Sequence, residues 1–71
     1  MDIRLLVGKN VKKFRKERGF SQEVLAFECE VHRTYISGVE RGVRNPTVVV
    51  LEKIANALKI TPDLLLAKPK R

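Results

Sequence analysis

Residues 21–42, SQEVLAFECEVHRTYISGVERG, hold two apolar-periodic segments that are each too short to stand alone as helices and too close together to be independent. Ser21 reads as a helix cap, Glu23 stands in the first turn, and Val24, Leu25 and Phe27 are the expected apolar anchors of a segment ending near Glu28 or Cys29. A second segment runs from about Arg33 to Arg41, with Ile36 and Val39 facing inward at a three-residue step and Gly42 as its stop. Isolated helices shorter than about twelve residues are marginal in water, so the pair must lean on flanking elements. The spacing is that of two short helices meeting at a corner.

The flanks supply those elements. Before the pair, Ile3, Leu6, Val7, Val11 and Phe14 recur at three- and four-residue steps, Asp2 can cap, and Gly19 follows a last turn rich in Arg and Lys, which predicts a helix over about 3–18. After the pair, Asn45-Pro46 marks a turn and Thr47 caps a segment whose Leu51, Ile54, Ala55 and Leu58 have helical spacing. Val48-Val49-Val50 argues for a strand, but it sits between a strong cap and an unbroken helical pattern, so a helix is expected there as well. Thr61-Pro62 then opens a short fifth helix through Leu64 to Ala67. The expected fold is all-α, a bundle of five helices, with residues 1–67 as one domain and 68–71 as a basic tail.

At 71 residues, only one domain fits, and 44% hydrophobic with 32% charged residues is the balance of a folded globular one. The lone Cys29 makes no internal disulfide and reads as a small buried hydrophobe. The longest apolar runs, Val48 to Leu51 and Leu64 to Ala67, are too short to cross a bilayer, and no signal-peptide pattern opens the chain, so no membrane partner and a cytoplasmic location are expected. The net charge of +7 is unevenly spread: residues 1–20 carry seven Lys and Arg against Asp2 and Glu17, whereas residues 21–40 carry four Glu against Arg33. Basic surfaces flanking a less basic segment suit a polyanion held on both sides of a reading element.

The order Ser21-Gln22, Leu25-Ala26, Val31, Tyr35-Ile36-Ser37, Val39-Glu40-Arg41-Gly42, Asn45-Pro46, Leu51, Ile54-Ala55 and Leu58 resembles the phage-repressor and Cro-type (XRE) helix-turn-helix family, small restriction-modification controller proteins included. The resemblance covers nearly the whole chain and implies a lambda-repressor-like domain that binds double-stranded DNA and regulates transcription in bacteria or phage. It implies that the helix Arg33 to Arg41 enters the major groove, with Arg33, Thr34 and Ser37 reading base edges. Arg33 is the leading candidate, because guanidinium can pair bidentately with guanine O6 and N7. Gln22 falls at the family's phosphate-contacting position, and Tyr35, Arg41, Arg44 and Lys12 are further candidates for phosphate contact. Glu40 and Arg15 match a family ion pair that ties the reading helix to the scaffold. Ala26 falls where the two helices approach closely.

Three residues depart from the pattern: Glu30 replaces the usual turn glycine, His32 replaces a Ser or Thr cap, and Gly38 lies inside the reading helix, where it is expected to remove a groove-facing side chain. Since one such helix contacts only a few base pairs, a homodimer on a palindrome is expected, with Leu64, Leu65 and Leu66 as its candidate interface. No cofactor, metal or small-molecule effector is expected, and no acid-base pair or nucleophile constellation points to an enzyme. The alternative is an antitoxin-like protein-interaction module, with DNA binding secondary.

Overall fold

The computed structural model describes residues 2–69, and each helix in it begins where a capping side chain is available. Helix α1 spans Ile3–Glu17 with Asp2 accepting from the Arg4 amide, and α2 spans Gln22–Cys29 with Ser21 accepting from Val24. Helix α3 spans Arg33–Glu40 under an imidazole cap, His32, and α4 spans Val48–Leu58 with Thr47 accepting from Val50. The three-valine run is therefore helical, as its cap dictates. The expected fifth helix is only a four-residue 3₁₀ turn, Pro62–Leu65: Thr61 makes no side-chain cap bond, and the chain leaves the turn at Leu66. Among the described residues there are four α-helices, this 3₁₀ turn and no strand.

Packing then orders the short helices. Helix α3 lies against α1 and α2, α2 also packs on α4, and the 3₁₀ turn closes over α1 and α4. Val11, Leu25, Cys29, Ile36, Ile54 and Leu65 are wholly buried, with Val7, Ala26, Val39, Ala55 and Leu58 beside them. Each large side chain in this set contributes roughly 1.5–3 kcal/mol by leaving water. Truncating Ile36 to Ala, with little room to relax, would cost about 2–5 kcal/mol.

Several side chains depart from the expected core. Phe27 is 80% exposed and Ile3 54%, so neither anchors its helix, and Val24 is only partly covered. The reason for Phe27 is geometric: on an eight-residue helix, Leu25, Ala26 and Cys29 already fill the inward stripe, and Phe27 falls outside it. Helix α3 stops at Glu40, with Arg41 as its cap residue. Leu65, grouped with Leu64 and Leu66 as an interface candidate, is in the core instead, because the 3₁₀ turn directs it beneath α1 and α4.

Two polar or small residues that periodicity overlooks fix the scaffold. Gly8 lies where α1 meets the end of α3; a Cβ there would overlap the Val39 carbonyl and come within 2.7 Å of the Glu40 oxygen. Asn10, almost fully buried, donates from Nδ2 to the carbonyls of Leu65 and Ala67, both at 2.9 Å, and so holds the C-terminal segment on α1. Of the basic tail, Lys68 and Pro69 are exposed, while Lys70 and Arg71 lie outside the described residues.

Candidate nucleic-acid interface

One end of α3 is locked and the other is open. At the locked end, Arg15 donates from Nε to Glu40 Oε2 at 2.5 Å, from Nη2 to Oε1 at 3.1 Å and from Nη1 to the Phe20 carbonyl at 2.8 Å. Only 10% of the Arg15 side chain and 4% of the Glu40 side chain are exposed. A buried pair of this kind need not add net stability over apolar residues, but loss of one partner strands the other charge. Gln22 joins the network by donating from Nε2 to Glu40 Oε1 at 3.1 Å, so the head of α2 is tied to the tail of α3. One amide hydrogen of Gln22 is thus engaged inward, and its second remains for an outside acceptor.

At the open end, Arg33 and Thr34 are exposed and Ser37 is partly so. At about 100° per residue, positions 33, 34 and 37 fall in one sector of the helix, with 40 at its edge. Gln22, bonded to Glu40, therefore borders the same exposed face. Arg33 has no ion pair or side-chain hydrogen bond among the described residues, which leaves its fork of donors unengaged.

The turn between α2 and α3 is closed by Glu30 in the left-handed region, at φ 60° and ψ 38°. A residue with a Cβ is strained there by about 1 kcal/mol or more, whereas the glycine usual in this family is not. The exposed Glu30 carboxylate lies 3.7 Å from Lys53 Nζ, too solvated a pair to offset much of that strain. His32 caps α3 through Nδ1, which accepts from the Thr34 amide at 3.2 Å and lies 2.9 Å from the Thr34 hydroxyl. The hydroxyl of Thr34 is turned toward its own cap, so its methyl and a remaining lone pair are what it can offer outward.

Tyr35 and Arg44 form a second cluster. The Arg44 guanidinium stacks over the Tyr35 ring at 4.8 Å, and the Tyr35 hydroxyl accepts a long 3.4 Å bond from the Thr47 amide. Gly38 does not open the groove face as expected from the sequence. It is buried under this cluster, where a Cβ would sit 3.2 Å from Arg44 Cβ, and its carbonyl accepts from Val43 and Arg44 amides. The glycine admits the return of the chain after α3. Arg41 and Lys12 are exposed, and neither has an ion pair or side-chain hydrogen bond among the described residues.

Elsewhere the chemistry is quiet. Burial pushes the Cys29 thiol up to about 11, which keeps it protonated inside the core. No cluster of metal-ligating side chains occurs among the described residues, and no described helix is long and apolar enough to cross a membrane. Apolar side chains do emerge together on a different face, where Val48, Val49, Leu51 and Leu66 line a shallow groove with Pro62 and Glu52.

The sequence pattern of the helix-turn-helix family matches residues 11–65. The control protein C.BamHI of Bacillus amyloliquefaciens is 52% identical over 66 residues, covering 92% of this chain and 82% of its own length. The restriction-modification controller protein C.AhdI of Aeromonas hydrophila superposes with a TM-score of 0.85 at 42% identity, over 87% of this chain and 94% of that one. The biofilm master regulator SinR, solved in complex with DNA, gives a TM-score of 0.82 at 35% identity, over 86% of this chain and 98% of that one.

Proposed function

This chain belongs to the helix-turn-helix family, and from that premise we propose that it is a transcriptional regulator that binds double-stranded DNA with α3 in the major groove. The observation that carries this reading is the division of α3 itself. Its C-terminal end is fixed to α1 by the buried Arg15 and Glu40 pair, while Arg33, Thr34 and Ser37 stand on its open N-terminal face. A reading element needs both properties, since a base contact discriminates only if the side chain is held in register.

In this reading Arg33, Thr34 and Ser37 contact base edges. Gln22, Arg41, Arg44, Lys12 and the hydroxyl of Tyr35 bind phosphates, with Arg44 pre-positioned by its stacking on the Tyr35 ring. Regulation of this kind operates in the cytoplasm of a bacterial host. It needs no enzyme chemistry, metal or cofactor, and the domain extends over residues 1–67, ahead of a basic tail.

The active species is a homodimer. Leu64 and Leu66 are 37% and 46% exposed, and the nearby Val48 and Val49 are 81% and 61% exposed. A single domain has no use for that apolar surface, and a two-fold contact would cover it twice. Two copies of α3 would then reach successive major grooves about 34 Å apart. Selection of bound sequences from random duplex DNA near physiological salt tests the proposal. The expected result is a two-fold symmetric site with half-sites about one helical turn apart. Binding without enrichment, fading uniformly as salt rises, would overturn it in favour of a basic protein whose specific partner is another protein.

A further inference from the structure

The cap of α3 does two jobs with one ring. A backbone amide can only donate, so the 3.2 Å contact from the Thr34 N–H to His32 Nδ1 requires a lone pair on Nδ1. The Thr34 hydroxyl, 2.9 Å away, then donates to the same atom. With Nδ1 occupied as an acceptor, the neutral ring must carry its proton on Nε2. That atom has no partner among the described protein residues, and His32 is exposed immediately before Arg33, at the entrance to the open face of α3.

From this geometry we infer that His32 is a DNA-contacting residue, its tautomer set by Thr34 so that Nε2–H donates to an acceptor oxygen of the duplex. The inference rests on the reading of α3 as the DNA-contacting helix and adds to it a residue of fixed polarity. A Ser, Thr or Asp cap would satisfy the Thr34 amide equally well, but Asp has no proton to donate, and a Ser or Thr hydroxyl carries its proton on the capping atom itself, whereas the imidazole places its donor on the far side of the ring. Thr34 is drawn into the same unit, because its hydroxyl proton sets the ring, which leaves its methyl and a lone pair for base reading. A phosphate oxygen and a base-edge oxygen share the required chemistry. They differ in whether the contact depends on sequence.

Two substitutions separate the two ends of the ring. The amide oxygen of Asn occupies the position of Nδ1, so His32→Asn keeps the cap, while its NH2 group stands closer to the helix and the donor at the Nε2 position is lost. The amide of Gln occupies the position of Nε2, so His32→Gln keeps the donor and removes the cap. Binding of the full chain is measured on the duplex recovered by selection with the wild-type protein and on a mixed-sequence duplex of equal length, alongside thermal melting. His32→Asn is expected to melt at or above the wild-type temperature yet bind about tenfold more weakly, the loss of one hydrogen bond to a charged or strongly polar acceptor. His32→Gln is expected to melt lower and bind more tightly than His32→Asn. An equal loss on both duplexes identifies a phosphate, and a loss confined to the selected duplex identifies a base edge. Nitrogen NMR of the free protein at about pH 8, where an ordinary imidazole is neutral, is expected to show the Nε2–H tautomer. Wild-type affinity in His32→Asn, His32→Gln no tighter than His32→Asn, or an Nδ1–H tautomer would overturn the inference while leaving the function intact. Failure of the wild-type chain to bind either duplex would instead remove the DNA reading on which it rests.

Discussion

The two ends of α3, an eight-residue helix, obey opposite rules. At Glu40 both carboxylate oxygens accept from within the protein, from Arg15 and Gln22, and the side chain is 4% exposed. At Arg33 the side chain is exposed and makes no such bond. Substitutions at the first end should act on folding, and those at the second on binding. A helix of two turns can serve both purposes because its middle, Ile36 and Val39, is buried and transmits the position fixed at one end to the other.

Glu40→Ala is the most severe test of that contrast. It leaves the Arg15 guanidinium buried without its partner and should lower stability by about 3–5 kcal/mol, a large share of what a domain this small possesses. Urea denaturation checks it, and a variant as stable as the parent would mean that α3 is not held from this end. Gly8→Ala comes next. Helix propensity alone favours Ala by about 1 kcal/mol, but the new methyl meets the Val39 and Glu40 carbonyls, so a net loss of about 1–3 kcal/mol is expected. A melting temperature that rises would show that α1 and α3 are free to separate.

Arg33→Ala probes the open end. Affinity for the selected duplex should fall by about 1–3 kcal/mol, while the melting temperature stays unchanged because no intramolecular bond is lost. Destabilisation in parallel with lost binding would erase the distinction between the ends. Glu30→Gly acts on the corner instead: releasing the left-handed strain should stabilise by about 1 kcal/mol, or roughly 4–8 °C in a domain of this size, with affinity unaltered.

The smallest effect concerns Asp2. Its hydrogen bonds to the Arg4 side chain and amide hold its carboxyl below the usual carboxylate range. A depressed folded value means that the contribution is present above the ordinary carboxylate range and is lost as pH falls through the lowered value. The wild-type chain should therefore lose a little stability in acid that Asp2→Asn, whose cap is uncharged, does not lose. Identical acid profiles would show that the cap charge contributes nothing.

What the sequence discloses about this molecule depends on how local the cause is. Ser21, Thr47 and Asp2 cap helices that begin beside them, and Leu25, Ile36, Ile54 and Leu58 face inward because their spacing leaves no alternative. The pairing of Arg15 with Glu40 is legible only through the family resemblance, since nothing local relates residues so far apart in the chain. Gly8, Asn10 and Gly38 owe their identities to segments that return from elsewhere: the end of α3, the C-terminal carbonyls and Arg44. An interior glycine in each of α1 and α3 was a visible signal of close approach, although it did not say what approaches. Phe27 reads as an anchor and is exposed; nothing in the structure covers it.

In the proposed reading the open end of α3 reads bases while its far end only holds it in place. Sequence selection from random duplexes with Arg33→Ala, compared site by site with selection by the wild-type chain, tests it most directly. The expected result is the same two-fold symmetric site with one base position per half-site relaxed, the position where guanidinium had met a guanine edge. A selected site unchanged at every position, with affinity reduced equally on all sequences, would show that Arg33 touches only phosphate and that α3 does not read DNA from this end.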